Sequence, residues 1–374
     1  MLSLDNNTKA FLSLVRAGLW ETDARLSKFE VIDYLRVLQL SEEQSVIGLV
    51  AAGFEKVSDT KVPKEIALKI VGQTLQLEQR NTLMNKYLAS LVNLLRQQGI
   101  YSVLVKGQGV AQCYERPLLR ACGDIDLYLN KDSFIQAKQI LCPIAQKVDP
   151  DNEITEHINL VMKDGGWVVE IHANQHTDLS FKIDKGLDGI HRNIFYNGNV
   201  RSWDNYGTSV FLPSPENDII IVFTHFIKHF FKGGLGLRQI TDWCRLIWTY
   251  KGIIDVAKIE TIIRGMGLLN EWKAFASFSV DYLGMPEDVM PLYSDKEKWS
   301  KKSSYILGFV LESGNFGHNR DTSYYQYRWW IMRKIGSFCH KVSDLFRHAI
   351  AFPDSLGFIP CIMYNGIKAA IRGE

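Results

Sequence analysis

The chain has 374 residues, 46% of them hydrophobic and 22% charged, which suits a folded protein with a large buried core and excludes a disordered or fibrous one. Forty-three Lys and Arg nearly balance 41 Asp and Glu, and a formal charge of +2 gives no reason to expect duplex DNA as a partner. The six cysteines, Cys113, Cys122, Cys142, Cys244, Cys339 and Cys361, include no C-x-x-C pair, the start Met1-Leu2-Ser3-Leu4-Asp5 lacks a basic-then-apolar leader, and no apolar run approaches the ~20 residues of a membrane span. Reduced thiols, a cytoplasmic location and no transmembrane segment are therefore expected.

From residue 7 to 98 apolar positions recur three and four apart, as in Leu12, Val15 and Leu19 or Leu77, Met84, Leu88, Leu91 and Leu95, so residues 1–98 read as a helical region. Gly99 suits the stop of its last helix. The unit 99–213 mixes both periods: a strand at 101–105, a helix at about 107–114, a strand at 123–129, a helix at 131–141 ending near Pro143, and two strands about Asp164-Gly165-Gly166. An Asp164-Gly165 turn of type I′ pairs His157 with His172 and Asn159 with Glu170, whereas a Gly165-Gly166 turn shifts the pairs by two residues. Either way these four side chains share one face. Ser214-Pro215-Glu216 opens a long helix at the start of the third region, 214–374, with a capping serine, proline at the first position and an acid in the first turn. The next helix carries Arg238 and Asp242 at i and i+4, which reads as a helix pair. Further helices fill much of 254–283, 295–312 and 324–350. The fold class expected is α+β: a small mixed-sheet core flanked by two helical regions.

The chemistry concentrates in two short segments. Asp124-Ile125-Asp126 sets two carboxylates on one face of a strand, ~6.6 Å apart at a rise of ~3.3 Å per residue. Alone, such a pair reads first as solvated edge-strand acids; burial of Ile125, Leu127 and Leu129 on the other face anchors it and turns the reading toward function. Glu170 supplies a third acid if its strand lies beside 123–129, and three such carboxylates can hold Mg²⁺. Lys106-Gly107-Gln108-Gly109 leaves an apolar strand for a helix, where a turn can hold phosphate, but it lacks the P-loop pattern and alone is just a turn. Arg120 is placed to neutralise phosphate or to sit on the surface. His225 and His229 share a helical face, yet without a third ligand they read as packed or surface histidines. Tyr324-Tyr325-Gln326-Tyr327-Arg328-Trp329-Trp330, with Arg333, Lys334, Lys341 and Arg347, reads as an aromatic, basic stripe that packs on its own domain or meets a membrane surface or acceptor.

In these residues the chain resembles the DNA polymerase β-type nucleotidyltransferase superfamily, in particular its branch of bacterial uncharacterised nucleotidyltransferases. The resemblance rests on the ordered set Lys106-Gly107, Arg120, Asp124-Ile125-Asp126, His157 and Glu170-Ile171-His172, and extends through His229, Arg238 and Asp242, over roughly residues 100–245. It implies an enzyme that moves a nucleoside monophosphate from a nucleoside triphosphate to a hydroxyl or similar acceptor of unknown identity. It further implies two Mg²⁺ ions on Asp124, Asp126 and Glu170, with Glu170 the acid nearest the nucleophile. Lys106, Gly107, Gln108, Arg120, His157, His172, His229, Arg238 and Asp242 would surround the nucleotide. The turn departs from the superfamily in one place: Gln108 stands where serine or glycine is usual, which removes a phosphate-binding hydroxyl. Two other functions fit parts of the sequence. A glycosyltransferase holding a nucleotide sugar through D-x-D would need alternating strands and helices before that motif, where helices are read instead; a non-catalytic nucleotide-binding module on the same fold would explain Gln108.

Overall fold

A computed structural model describes residues 4–149, 156–317, 319 and 330–364. It begins with α1 (Asn6–Trp20), α2 (Tyr34–Glu43), α3 (Ile47–Glu55) and the 34-residue α4 (Lys64–Gln97). Gly99, at φ +75°, ends that last helix as its position suggested. The centre follows as β1 (Val103–Val105), α5 (Gly107–Ala111), β2 (Asp124–Tyr128), α6 (Lys131–Leu141), β3 (Ala145–Val148), β4 (His157–Met162), β5 (Val168–His172), α7 (Phe181–Phe195), β6 (Val200–Asn205) and β7 (Thr208–Pro213). The chain then runs through α8 (Pro215–Lys232), α9 (Leu237–Tyr250), α10 (Val256–Met266), α11 (Leu269–Leu283), α12 (Glu297–Ser313) and α13 (Trp330–Ala351). The class is the α+β one expected.

The strands form one mixed sheet in the order β3-β4-β5-β2-β1-β7-β6, in which β2 runs parallel to β5 and antiparallel to β1. One face, with Ile125, Leu127, Val169 and Ile171, packs on Met84 and Leu88 of α4 and Phe134 of α6. Several side chains of the opposite face, Val103, Val105 and Tyr128, join a larger core shared by helices from both flanking regions, including Phe223 and Phe226 of α8 and Trp243 of α9. Each of those large side chains contributes ~1.5–3 kcal/mol on burial, so the acids of β2 stand on a firmly held strand.

Three sequence expectations change. The helix read at 107–114 is only five residues long. The sheet also contains β3 and the hairpin β6–β7, where no strand was read. That hairpin turns at Tyr206 and Gly207, both at positive φ, a pattern hidden by tyrosine in a position that usually takes Asn or Asp. The loop between β4 and β5 is not a type I′ turn on Asp164-Gly165, because positive φ falls at Gly165 and Gly166; Met162 pairs with Trp167 across a four-residue loop. The register is nevertheless His157 opposite His172 and Asn159 opposite Glu170. No helix among the described residues is long and apolar enough to cross a membrane. The stretch Tyr324–Trp329 lies outside the described residues; Arg347, from the same basic stripe, pairs with Glu312.

Candidate functional site

Strand pairing assembles the site. Val105 is opposite Asp126 and Asp126 beside Glu170, so the last residue of β1, the middle of β2 and the middle of β5 fall in one row, and Lys106 follows at the end of that row's first strand. Glu170 thus lies on the strand adjacent to Asp124 and Asp126, on the same pleat face. His172, two residues on, shares that face, and β4 adds His157 across from it.

Lys106 enters the row through a strained backbone. Its φ of 59° and ψ of −149° lie in a region that is nearly glycine's alone and costs of order 1–3 kcal/mol for a side chain. Gly107 follows at φ +46°, and a Cβ there would stand 3.3 Å from Cys122 Sγ. This double turn aims Lys106 Nζ at Asp126 Oδ1, 2.8 Å away. The same oxygen lies 3.2 Å from His172 Nε2, while Glu170 Oε2 lies 3.5 Å from Nε2 of both His172 and His157.

The electrostatics follow from that crowding. Burial alone would lower Lys106, but Asp126, Asp124 and Glu170 raise its pKa above the usual lysine value. Burial likewise opposes charge on His172, and the hydrogen bonds to Asp126 and Glu170 outweigh it, raising the imidazole. Glu170 is pushed up by burial, then held well below the carboxylate range by His157, His172 and Lys106. Asp124 is the exception: burial and the neighbouring Asp126 raise it, and no ion-pair partner reaches it among the described residues. Lys106, His172 and His157 thus meet Asp126 and Glu170, and Asp124 takes none of those contacts.

α8 faces this row with the polar stripe His225, Lys228, His229 and Lys232, spaced i, i+3, i+4 and i+7 on a helix otherwise buried from Asn217 to Phe231. The His225 and His229 rings meet edge to face at 4.5 Å. Burial, then the charge of Lys106, lowers both, His225 well below its ordinary value and His229 to about 3. Lys228 Nζ donates to the His176 carbonyl at 3.3 Å and Lys232 Nζ to the Thr177 carbonyl at 2.6 Å. Burial lowers both lysines, Lys232 to about 8. Sequence reasoning passed over Lys228 and Lys232 and set His225 aside; the signal was present as a polar stripe at helical spacing within Ile219–Phe231.

Other candidate residues are placed differently. Arg120 is buried and gives both its Nε and Nη2 to Asp242, at 3.0 and 2.6 Å, while Tyr114 donates to the same carboxylate at 2.8 Å. Asp242 is thus gripped by Arg120, a partner the helix-pair reading did not include, while its charge also acts on Arg238, and Arg120's guanidinium faces α9 and not the acids. Arg238 Nη1 donates to the Ala121 carbonyl at 3.1 Å, and its charge acts on Asp124. The Gln108 side chain turns away into α4, donating to Asn81 Oδ1 at 2.8 Å; Asn81 in turn donates to the Leu118 and Arg120 carbonyls at 2.7 and 2.9 Å. Gly48 of α3 lets the Leu119 backbone approach so closely that a Cβ would stand 1.9 Å from its oxygen. The N-terminal helices therefore fix the turn that leads into β2.

Comparison with known proteins bears on this arrangement. No curated protein matches the chain. It is similar to a crystal structure of an antigenic nucleotidyltransferase-like protein from Paracoccidioides brasiliensis, at 14% identity and a TM-score of 0.33, over 54% of this chain and 92% of that one. The family model described as uncharacterised nucleotidyltransferase matches residues 30–283, which include every strand of the sheet and all the side chains placed above. Since that match spans well over half of its length, the chain belongs to the uncharacterised nucleotidyltransferase family.

Proposed function

We propose that the protein is a nucleotidyltransferase of the polymerase β type that moves a nucleoside monophosphate from a nucleoside triphosphate to an acceptor hydroxyl: the hydroxyl oxygen bonds to the α-phosphorus, the α–β phosphoanhydride bond breaks, and pyrophosphate leaves. The observation that carries this reading is the gathering of three acids, Asp124, Asp126 and Glu170, on adjacent strands, with Asp124 raised by burial and then by Asp126 and in no ion pair among the described residues. Hard oxygen donors fit Mg²⁺. Asp124, Asp126 and Glu170 would hold it, and when bound it supplies charge for the phosphates and acidifies an acceptor hydroxyl.

The chain's own cations have the remaining work. Lys106 Nζ, already at the acid row, neutralises charge that develops on the transferred phosphate. With α5 only five residues long its dipole is slight, and the terminal phosphates fall to Lys228 and Lys232, whose ammonium groups, among the described residues, hold carbonyls and the weak Asp178 contact at 3.5 Å. They stand in for the hydroxyl that Gln108 does not offer. His229 and Arg238 border the same space. Arg120 and Asp242 are assigned to holding the turn before β2 and not to touching nucleotide.

Incubation of the purified chain with α-labelled nucleoside triphosphates, Mg²⁺ and a cell extract tests this. Transfer of label to an acceptor is expected, with a loss on the order of 10³-fold in Asp126→Asn. Transfer indifferent to that substitution overturns the assignment. Nucleotide binding without any transfer favours the non-catalytic module.

A further inference from the structure

The donor atoms nearest the open edge of the site are not all oxygens. His157, Glu170 and His172 present one ligand atom each, all within 4.8 Å of one another. Glu170 Oε2 is 3.5 Å from both imidazole Nε2 atoms, and His172 Nε2 is 3.2 Å from Asp126 Oδ1. Ligand atoms bound at ~2.0–2.2 Å to a four-coordinate zinc ion stand ~3.3–3.6 Å apart, so these separations are those of neighbouring corners of one coordination shell.

The backbone makes the arrangement specific. His157 and His172 are directly opposed across β4 and β5, and their rings stack at 4.5 Å with 25° between planes. Stacking alone leaves the ring nitrogens free to point anywhere, yet both Nε2 atoms converge on one carboxylate oxygen. Glu170, two residues before His172 on the same pleat face, is the only acid within this ring of contacts to meet both. His157 keeps 42% of its side chain exposed, which leaves an entry path and room for a fourth ligand.

We propose that His157, Glu170 and His172 form a binding site for a nitrogen-preferring divalent cation of the zinc class, with Asp126 beside it. Two imidazoles and a carboxylate suit zinc, whereas Mg²⁺ takes oxygen ligands and retains its waters. The proposal rests on the nucleotidyl-transfer reading and refines it at Glu170: that carboxylate serves the zinc-like cation, and the Mg²⁺ assigned to all three acids falls to Asp124 and Asp126.

Untagged full-length protein, stripped with chelator and dialysed against Zn²⁺, Mn²⁺ or Mg²⁺, would be assayed for bound metal by mass spectrometry. A stoichiometric amount of zinc retained against a ~1,000-fold excess of Mg²⁺ is expected, with affinity lowered at least ~10-fold in His157→Ala. Zinc binding equal in that variant and the wild type, or displacement of zinc by comparable Mg²⁺, overturns the proposal. Because a variant can misfold, Co²⁺ on the wild-type chain gives a second readout: strong visible absorption of a four-coordinate, nitrogen-containing site supports it, and the weak spectrum of an all-oxygen hexacoordinate ion overturns it. Nucleoside triphosphate binding by the wild type in Mg²⁺ alone, read as a thermal shift, reports separately on the transfer reading. Either result can then fail without the other.

Discussion

Two buried charge clusters lie close together in this molecule, and they are built oppositely. Around Asp242 every charge is answered: Arg120 grips the carboxylate with two nitrogens, Tyr114 donates to it, and both ionic side chains are 6% exposed. Around Asp126 one acid is left without an ion pair among the described residues, and burial and then Asp126 raise that acid, Asp124. A cluster that closes on itself holds the fold together; a cluster that leaves an acid unpaired is a place for something to bind. The contrast predicts different consequences for the same kind of substitution in each.

The largest effect on stability is expected at the closed cluster. Asp242→Ala leaves the Arg120 guanidinium buried without its partner, and such a loss is worth about 3–5 kcal/mol. Denaturant unfolding measures it. Asp126→Asn, in the open cluster, is expected to cost the metal-free protein less than Asp242→Ala does, because Asp124 and Glu170 still act on Lys106 and one crowding charge is removed. Its effect falls on label transfer instead. Equal destabilisation by the two substitutions would dissolve the distinction.

A third buried acid sharpens the comparison from outside the site. Glu271 of α11 is fully buried, and no other described residue hydrogen-bonds either carboxyl oxygen. Burial raises it to about 7 from an ordinary 4.5. The folded chain then holds a proton that the unfolded chain releases between those values, so stability is fully present below pH 4.5 and is lost as pH rises through about 7. Glu271→Gln removes that dependence and is expected to stabilise the protein by about 3 kcal/mol at pH 8, with little change at pH 4, by denaturant unfolding at both.

How much of this was legible in the sequence depends on whether the signal was local. Periodicity placed the helices and β2, β4 and β5, and alternation around Ile125 and Leu127 put Asp124 and Asp126 on one face. The register of β4 on β5 could be read because both strands leave a short loop rich in glycine, although the turn itself takes four residues. Two things could not be read. The partner of Arg120 lies on α9, 122 residues away, and nothing local distinguishes it from Arg238, which sits one turn before Asp242. Nor does Gln108 reveal in sequence that Asn81 of α4 will take its side chain. The hairpin β6–β7 escaped because Tyr206 adopts the positive φ usually signalled by Asn or Asp. The stripe on α8 is local and readable, but its histidines at i and i+4 read as a metal pair and so mask Lys228 between them and Lys232 beyond.

Those lysines give the smallest and most discriminating expectation. Lys228 and Lys232 each donate to a backbone carbonyl of the loop at His176 and Thr177, and burial together with mutual repulsion keeps Lys232 near 8. A bound polyphosphate would relieve that repulsion and favour the charged form of both. Lys228→Ala and Lys232→Ala are each expected to weaken nucleoside triphosphate about tenfold, roughly 1.4 kcal/mol, in a titration calorimeter, while nucleoside monophosphate binding changes little. Wild-type affinity is expected to fall as pH rises past about 8, where the free protein begins to lose the Lys232 proton, and Lys232→Ala to abolish that decline. A pH dependence that survives the substitution would pass to Lys228, which burial also lowers; affinity unchanged in both variants would move the polyphosphate away from α8, toward Arg238, whose charge already acts on Asp124.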